Sequence, residues 1–234
     1  GVGGGLRGDG WSARGVCAGC VLDGPSPLEY PVLNAQTVRR DGLSGAAAFG
    51  ALPLHARVAR MPTASIDHWI HVNQRIPQEL YVLSAAAPLK AEPGSSTVFR
   101  GVFVDVPKGP EVTETWEVEH SAQFDAEKLA QFCTQQTPQS IVENGAIAIA
   151  ASVLLARDGL RLGNVQRIGS RTDFALIDPQ ARPAGVIEFK GVSSRYTSDA
   201  AAGARRQARK SKESPQRIGV IAFAGPEVRL EVVG

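Results

Sequence analysis

Two periodicities divide the chain. Up to about residue 122 apolar and polar positions tend to alternate, which predicts strands. LHARVAR (54–60), HWIHVN (68–73), ELYVLSA (79–85) and TVFRGVFVDV (97–106) are read as β-segments. So is EVTETWEVEH (111–120), where alternation puts Val112, Glu114, Trp116 and Val118 on one face. The breakers AEPGSS (91–96) and PKGP (107–110) separate the later segments. An antiparallel sheet or small barrel is expected here, and no chemistry is visible in it.

Beyond residue 122 the period becomes helical. FDAEKLAQFCTQQ (124–136) carries Phe124, Leu129, Phe132 and Cys133 at helical spacing, and Pro138 then punctuates the chain. A second helix is predicted over 139–157, ended by Asp158 and Gly159. It is apolar nearly all round, so it should lie buried against a sheet. Strands are predicted over 164–169, 172–178 and 185–191, with the turn-rich PQARPAG (179–185) between the last two. A helix over 198–212 opens on Ser198 and Asp199, and a continuously apolar strand covers 218–225. The expected fold class is α/β (α+β). A Gly-rich lead-in spans 1–15, a β-rich domain 16–122, and an α/β sandwich 123–234.

Composition narrows the class without naming a function. The chain has 234 residues, 43% hydrophobic and 21% charged, as a soluble globular protein does. Its longest apolar run, 146–156, falls short of the ~18 residues of a bilayer span, so no membrane role is expected. Cys17 and Cys20 form a CxxC with no second pair and no His at zinc spacing. With Cys133 the cysteine count is odd and low, which favours a reducing, cytoplasmic setting. The start, GVGGGLRGDG, has neither a Met nor a basic-then-apolar leader, so no export signal is inferred and a fragment of a longer chain is an open reading. His55, His68 and His71 lack ligand partners at suitable spacing and are read as core or surface histidines.

Charge distribution says more than the net of +2. Glu111, Glu114, Glu117, Glu119, Asp125 and Glu127 succeed one another with no Lys or Arg between them. Arg205, Arg206, Arg209, Lys210, Lys212 and Arg217 crowd around the single Glu213. A basic cluster of that kind suits a polyanionic ligand.

The chemistry concentrates in GSRTDFALIDPQARPAGVIEFKG (169–191). A hairpin centred near Arg182 sets Asp173 opposite 189–191, within a residue or two. Residues so placed have Cβ atoms ~4.5–5.5 Å apart. Glu188 and Lys190 share a face, while Ile187 and Phe189 point to the other. Close carboxylates repel unless a cation lies between them, and hard oxygen ligands suit Mg²⁺ or Mn²⁺. A neighbouring lysine orients water or offsets charge building on phosphorus. Such a set suits phosphodiester hydrolysis, and no serine–histidine–acid constellation rivals it.

These residues resemble the PD-(D/E)XK nuclease superfamily, with its restriction-endonuclease-like αβββαβ core, over roughly Gln139 to Val233. The resemblance rests on Asp173 in the second strand, Glu188-Phe189-Lys190 in the third, and the element order. It implies that Asp173 and Glu188 bind the divalent metal (Mg²⁺ or Mn²⁺) and that Lys190 assists the attacking water. Glu143 matches a helical Glu that many members carry. It is placed on the stripe of Ile147, Ala150 and Leu154, facing apolar surroundings with a partner nearby; the alternative reading is that it only stabilises the helix N-terminus. Thr172 replaces the usual Pro. Gln207 matches the Gln of an exonuclease-like branch, but Ser211 stands where that branch has Tyr. The resemblance implies a metal-dependent endonuclease acting on DNA, with Arg205, Arg206, Arg209 and Lys210 binding the nucleic acid. A homodimer is left open. Two other readings stand beside it: a nuclease toxin module of a larger secreted protein, and a catalytically silent nucleic-acid-binding module.

Overall fold

A computed structural model describes residues 61–73, 76–165 and 172–234. The expected lead-in, the strand over 54–60, Cys17, Cys20, His55 and residues 166–169 of another expected strand lie outside the described residues. In chain order the elements are β1 (Thr63–Ser65), α1 (Ile66–Val72), α2 (Gln78–Ala86), β2 (Ser96–Val104) and β3 (Val112–Glu119). Next come α3 (Ala126–Gln135), α4 (Pro138–Asp158), β4 (Arg161–Val165), β5 (Phe174–Ile177) and β6 (Pro183–Val192). The last are α5 (Ser198–Ala208), β7 (Gln216–Ala222) and β8 (Glu227–Val232). The fold is mixed α and β, with one sheet ordered β1-β3-β2-β8-β7-β6-β5-β4 among the described residues.

Helix α4 is the centre of the core, and its limits are local chemistry. The Thr137 side chain accepts the Ser140 N–H at 3.2 Å, and Pro138 occupies the first turn, where its missing N–H costs nothing. Gly159 ends the helix in the left-handed region at φ 69°. Ala146, Ala148, Ile149, Ala150, Val153 and Leu154 are buried, among them residues packed with α2 and the sheet. The helix, 21 residues with an 18-residue window of mean hydropathy 1.4, is long and apolar enough to cross a membrane, unlike the shorter run counted from sequence. Its apolar surface is instead largely covered by the rest of the fold.

Two expected strands are helices. HWIHVN belongs to α1, where Ser65 caps the first turn by accepting the His68 N–H at 3.4 Å. The buried residues there are Ile66, Trp69 and Ile70, a helical i, i+3, i+4 set that begins before the quoted run. ELYVLSA is in α2, buried from Tyr81 through Ala86, and a helix covered on most sides loses the one-sided period that identifies it.

The expected division at residue 122 is also corrected. Strands β2 and β3 form the antiparallel hairpin that sequence predicts, but β2 pairs parallel with β8, Arg100 opposite Glu227 through Val104 opposite Glu231. Residues on both sides of 122 therefore build one sheet, within a compact unit that begins near His55. β8, which sequence periodicity had not singled out, makes the joint. Its Val228, Leu230 and Val232 alternate with the buried Glu227, Arg229 and Glu231. The charged side is satisfied by ion pairs: Arg100 with Glu227 at 2.6 Å, Arg229 with Glu111 at 2.7 Å and Arg205 with Glu231 at 2.6 Å.

One close approach aims α4 at the candidate site. A Cβ on Gly191, near the end of β6, would run into the Val142 carbonyl of α4. Only glycine lets the helix lie that near the strand, and the next residue of the helix is Glu143.

Candidate functional site

The site is built on the β5–β6 hairpin. Phe174 lies opposite Ile187, and the Asp173 N–H donates to the Ile187 carbonyl at 3.1 Å, which sets Asp173 beside Glu188. The turn closes earlier than a centre at Arg182 requires, with Ile177 opposite Pro183 and a register shift next to it. Asp178 causes this by accepting the N–H groups of Gln180 at 2.9 Å and Arg182 at 2.8 Å. Asp173 is further fixed by the Phe189 N–H, which donates to its Oδ2 at 2.7 Å.

Glu188 is the unusual member. It is 1% exposed, and neither carboxylate oxygen has a hydrogen-bond partner. Lys190, on the same strand face, holds its Nζ 3.6 Å from Glu188 Oε1, an ion pair too long for a hydrogen bond. Burial chiefly, and then the Asp173 charge, push the Glu188 carboxyl up to about 7, against the smaller pull of Lys190 and Gln207. Asp173 is also raised. Burial is again the main cause and Glu143 adds to it, while the Phe189 N–H and Lys190 oppose it. An unpartnered carboxyl in the core is costly unless a proton or cation joins it.

The expected site residues are brought together unequally. Asp173, Glu188 and Lys190 converge. Glu143 is near enough for its charge to act on Asp173, but it is exposed and accepts a hydrogen bond from Gln139 at 3.0 Å, so the buried, apolar setting expected for it is corrected. Among the described residues no group of three or more His, Cys, Asp or Glu side chains is arranged to hold a metal ion. The core of the site is a pair. That suits Mg²⁺, which keeps several waters and takes one or two carboxylates.

None of the family models, curated proteins or solved structures compared with the chain matches it. The functional reading therefore rests on the geometry.

Two neighbours were missed or undervalued from sequence. Gln207 of α5 lies close enough to the Glu188 carboxyl to act on it, although Ser211 breaks the pattern that would have marked it. Tyr81 of α2 is buried, and its phenol is pushed up by burial and then by the Asp173 charge. No sequence signal separates Tyr81 from an ordinary core tyrosine. A roomy cavity, about 590 Å³, lies elsewhere, between His71–Asn73 and the β4–β5 strands. It contains neither carboxylate nor Lys190, and a polymer backbone needs an open surface more than an enclosed cavity.

The basic residues also divide. Arg205 is half-buried and gives Nε and Nη2 to the two Glu231 oxygens at 2.6 and 2.7 Å. Arg206, Arg209 and Lys210 are exposed and stand in no ion pair among the described residues. Arg205→Ala is expected to cost about 1.5–3 kcal/mol in urea denaturation, because it removes both hydrogen bonds from the buried Glu231 and leaves it the longer Arg229 contact at 3.6 Å. Arg209→Ala is expected to leave stability alone and, if this face binds duplex DNA, to lower the log–log salt slope by ~0.9. Equal slopes for the wild type and Arg209→Ala would make α5 a solvated face.

Proposed function

We propose that the chain is a divalent-metal-dependent nuclease of the PD-(D/E)XK kind that hydrolyses phosphodiester bonds in DNA. The observation that carries this reading is Glu188, a buried carboxyl with two unpartnered oxygens, beside Asp173 and with Lys190 on its own strand face. Such an arrangement is unfavourable in isolation and becomes favourable around a cation. The run α4-β4-β5-β6-α5-β7 supports the same reading, since it matches the order of that superfamily's core.

The residues divide the work. Asp173 and Glu188 would hold the ion, Asp173 with its carboxylate steadied by the Phe189 N–H. When bound, Mg²⁺ or Mn²⁺ supplies a Lewis acid for the phosphoryl oxygen and lowers the pKa of water. Lys190, 40% exposed at its side chain, faces both the carboxyl pair and solvent, where an ammonium can orient water or offset charge on phosphorus. Gln207 favours the charged form of Glu188, whereas the nearby Glu143 charge opposes ionisation of Asp173 and adds to the pair's need for a cation.

Nicking of supercoiled plasmid tests this directly. Conversion to the open circle is expected with Mg²⁺ or Mn²⁺ and none with EDTA. Absence of nicking with either metal, or nicking that persists in EDTA, would overturn the reading.

A further inference from the structure

Tyr196 is 65% exposed, more than any other large hydrophobic side chain among the described residues. A single exposed aromatic is ordinary by itself. The backbone beneath this one is tightly held. Ser194 Oγ donates to the Tyr196 carbonyl at 3.0 Å, and the Ala224 N–H donates to the Ser194 carbonyl at 3.2 Å. Thr197, the next residue, is fully buried and gives its N–H and its hydroxyl to Glu227 Oε1 at 3.1 and 2.5 Å. Arg229 Nε donates to that same hydroxyl at 3.2 Å. The ring is thus presented to solvent from a fixed base.

Its place relative to the carboxyl pair is set by the topology. β6 runs from Glu188 and Lys190 to Val192, a short loop carries Tyr196, and α5 returns so that Gln207 lies beside Glu188. From Thr197 to Gln207 a helix rises ~15 Å. That separation is a few nucleotides of one strand at ~3.4 Å each in B-DNA, and fewer in an extended strand. Arg195 precedes Tyr196 in the chain, and Arg206, Arg209 and Lys210 occupy the other end of α5. All four are exposed and outside the ion pairs of the described residues, so cationic residues stand at both ends of α5, with Tyr196 beside the first and the acidic Asp199 between them.

We propose that Tyr196 stacks on an unpaired nucleobase, so that the preferred ligand of this surface is a single-stranded stretch of DNA lying along α5. This rests on the nuclease reading for its biological sense, but not for its physics. A pre-positioned ring loses little conformational freedom on binding, and stacking tolerates any base because every base has a π-face. Duplex DNA offers no free base face except at its ends.

The test is fluorescence anisotropy in EDTA, where no metal-dependent cleavage intervenes, with a short labelled oligothymidylate and a labelled blunt duplex long enough that its two ends are a small share of its binding sites. Tyr196→Ala is expected to weaken single-strand binding roughly five- to a hundredfold and to change duplex binding less than twofold. Tyr196→Trp is expected to restore single-strand affinity. The salt slope is expected to stay unchanged in Tyr196→Ala, because stacking releases no counterions, whereas Arg209→Ala lowers it. Equal single-strand affinities for the wild type and Tyr196→Ala would overturn the proposal, as would equal losses on both probes. So would wild-type protein that binds neither. If plasmid nicking fails while the selective loss persists, the nuclease reading falls and the stacking site stands. If nicking succeeds with no selective loss, only the stacking site falls.

Discussion

Glu188→Gln is expected to abolish metal-dependent cleavage and, at pH 8 without metal, to raise the melting temperature. The two effects come from one group. On folding the Glu188 carboxyl moves from 4.5 to about 7, chiefly through burial. An acid whose pKa rises on folding binds its proton more tightly in the native state. Its favourable contribution is complete below 4.5 and is lost as the pH climbs through about 7. The loss is on the order of 3 kcal/mol at most, shared with Asp173 because neighbouring carboxyls titrate as a pair. Gln has the same shape and no charge to bury, so its melting temperature should vary much less over this range.

Metal offsets the difference. Mg²⁺ at a hundred times its dissociation constant stabilises the protein it binds by ~2.7 kcal/mol, and this gain should appear in the wild type and vanish in Glu188→Gln. Thermal melts at pH 5.5 and 8, with EDTA and with Mg²⁺, measure all four states. Wild-type melting that ignores both pH and Mg²⁺ would remove Glu188 as the metal residue. Full cleavage by well-folded Glu188→Gln would do the same.

Lys190→Ala is the second large effect. It leaves both carboxyls in place and removes the ammonium 3.6 Å from Glu188. Single-turnover cleavage at saturating DNA is expected to fall on the order of a hundredfold or more, the scale for deleting one electrostatic stabiliser. Binding of metal and DNA should survive. Lys190 draws the Glu188 pKa down, so its loss should shift metal binding to higher pH, since protons then compete harder for the pair. Calorimetric titration of Mg²⁺ across pH shows that shift, which a residue acting only by filling space would not produce. An unshifted profile with an unchanged rate would leave Lys190 as a surface charge.

Much of the hairpin and of α4 was legible because both are local. Thr137, Pro138 and Gly159 mark the ends of α4 within the helix's own sequence, and its apolar content announces burial. Asp173 and Glu188 meet across a short turn, so alternation and reflection suffice to bring them together. The remaining error, a register set one to three residues away, comes from the Asp178 hydrogen bonds and the shift beside Ile177. Helices α1 and α2 were misread because their runs are short, and α2 is covered on too many sides to show a period.

What the sequence by itself determined is the set of elements whose signals lie within their own residues: the β2–β3 hairpin, α3, α4, α5, β7, and the acid–acid–lysine face of β5–β6. Tertiary structure alone decided which charges are free. Arg205 and Arg209 look alike in sequence, yet Arg205 is locked to Glu231 and Arg209 faces solvent. Glu111 reads as part of an acidic run, yet it answers Arg229 across the sheet at 2.7 Å. Tertiary structure likewise joined β2 to β8 and so made one sheet of what reads as two domains. The physical reason is the same in each case. Backbone period and capping are set by neighbours along the chain, whereas strand partners and ion-pair partners are chosen among residues distant in sequence, where burial and geometry decide which contacts survive.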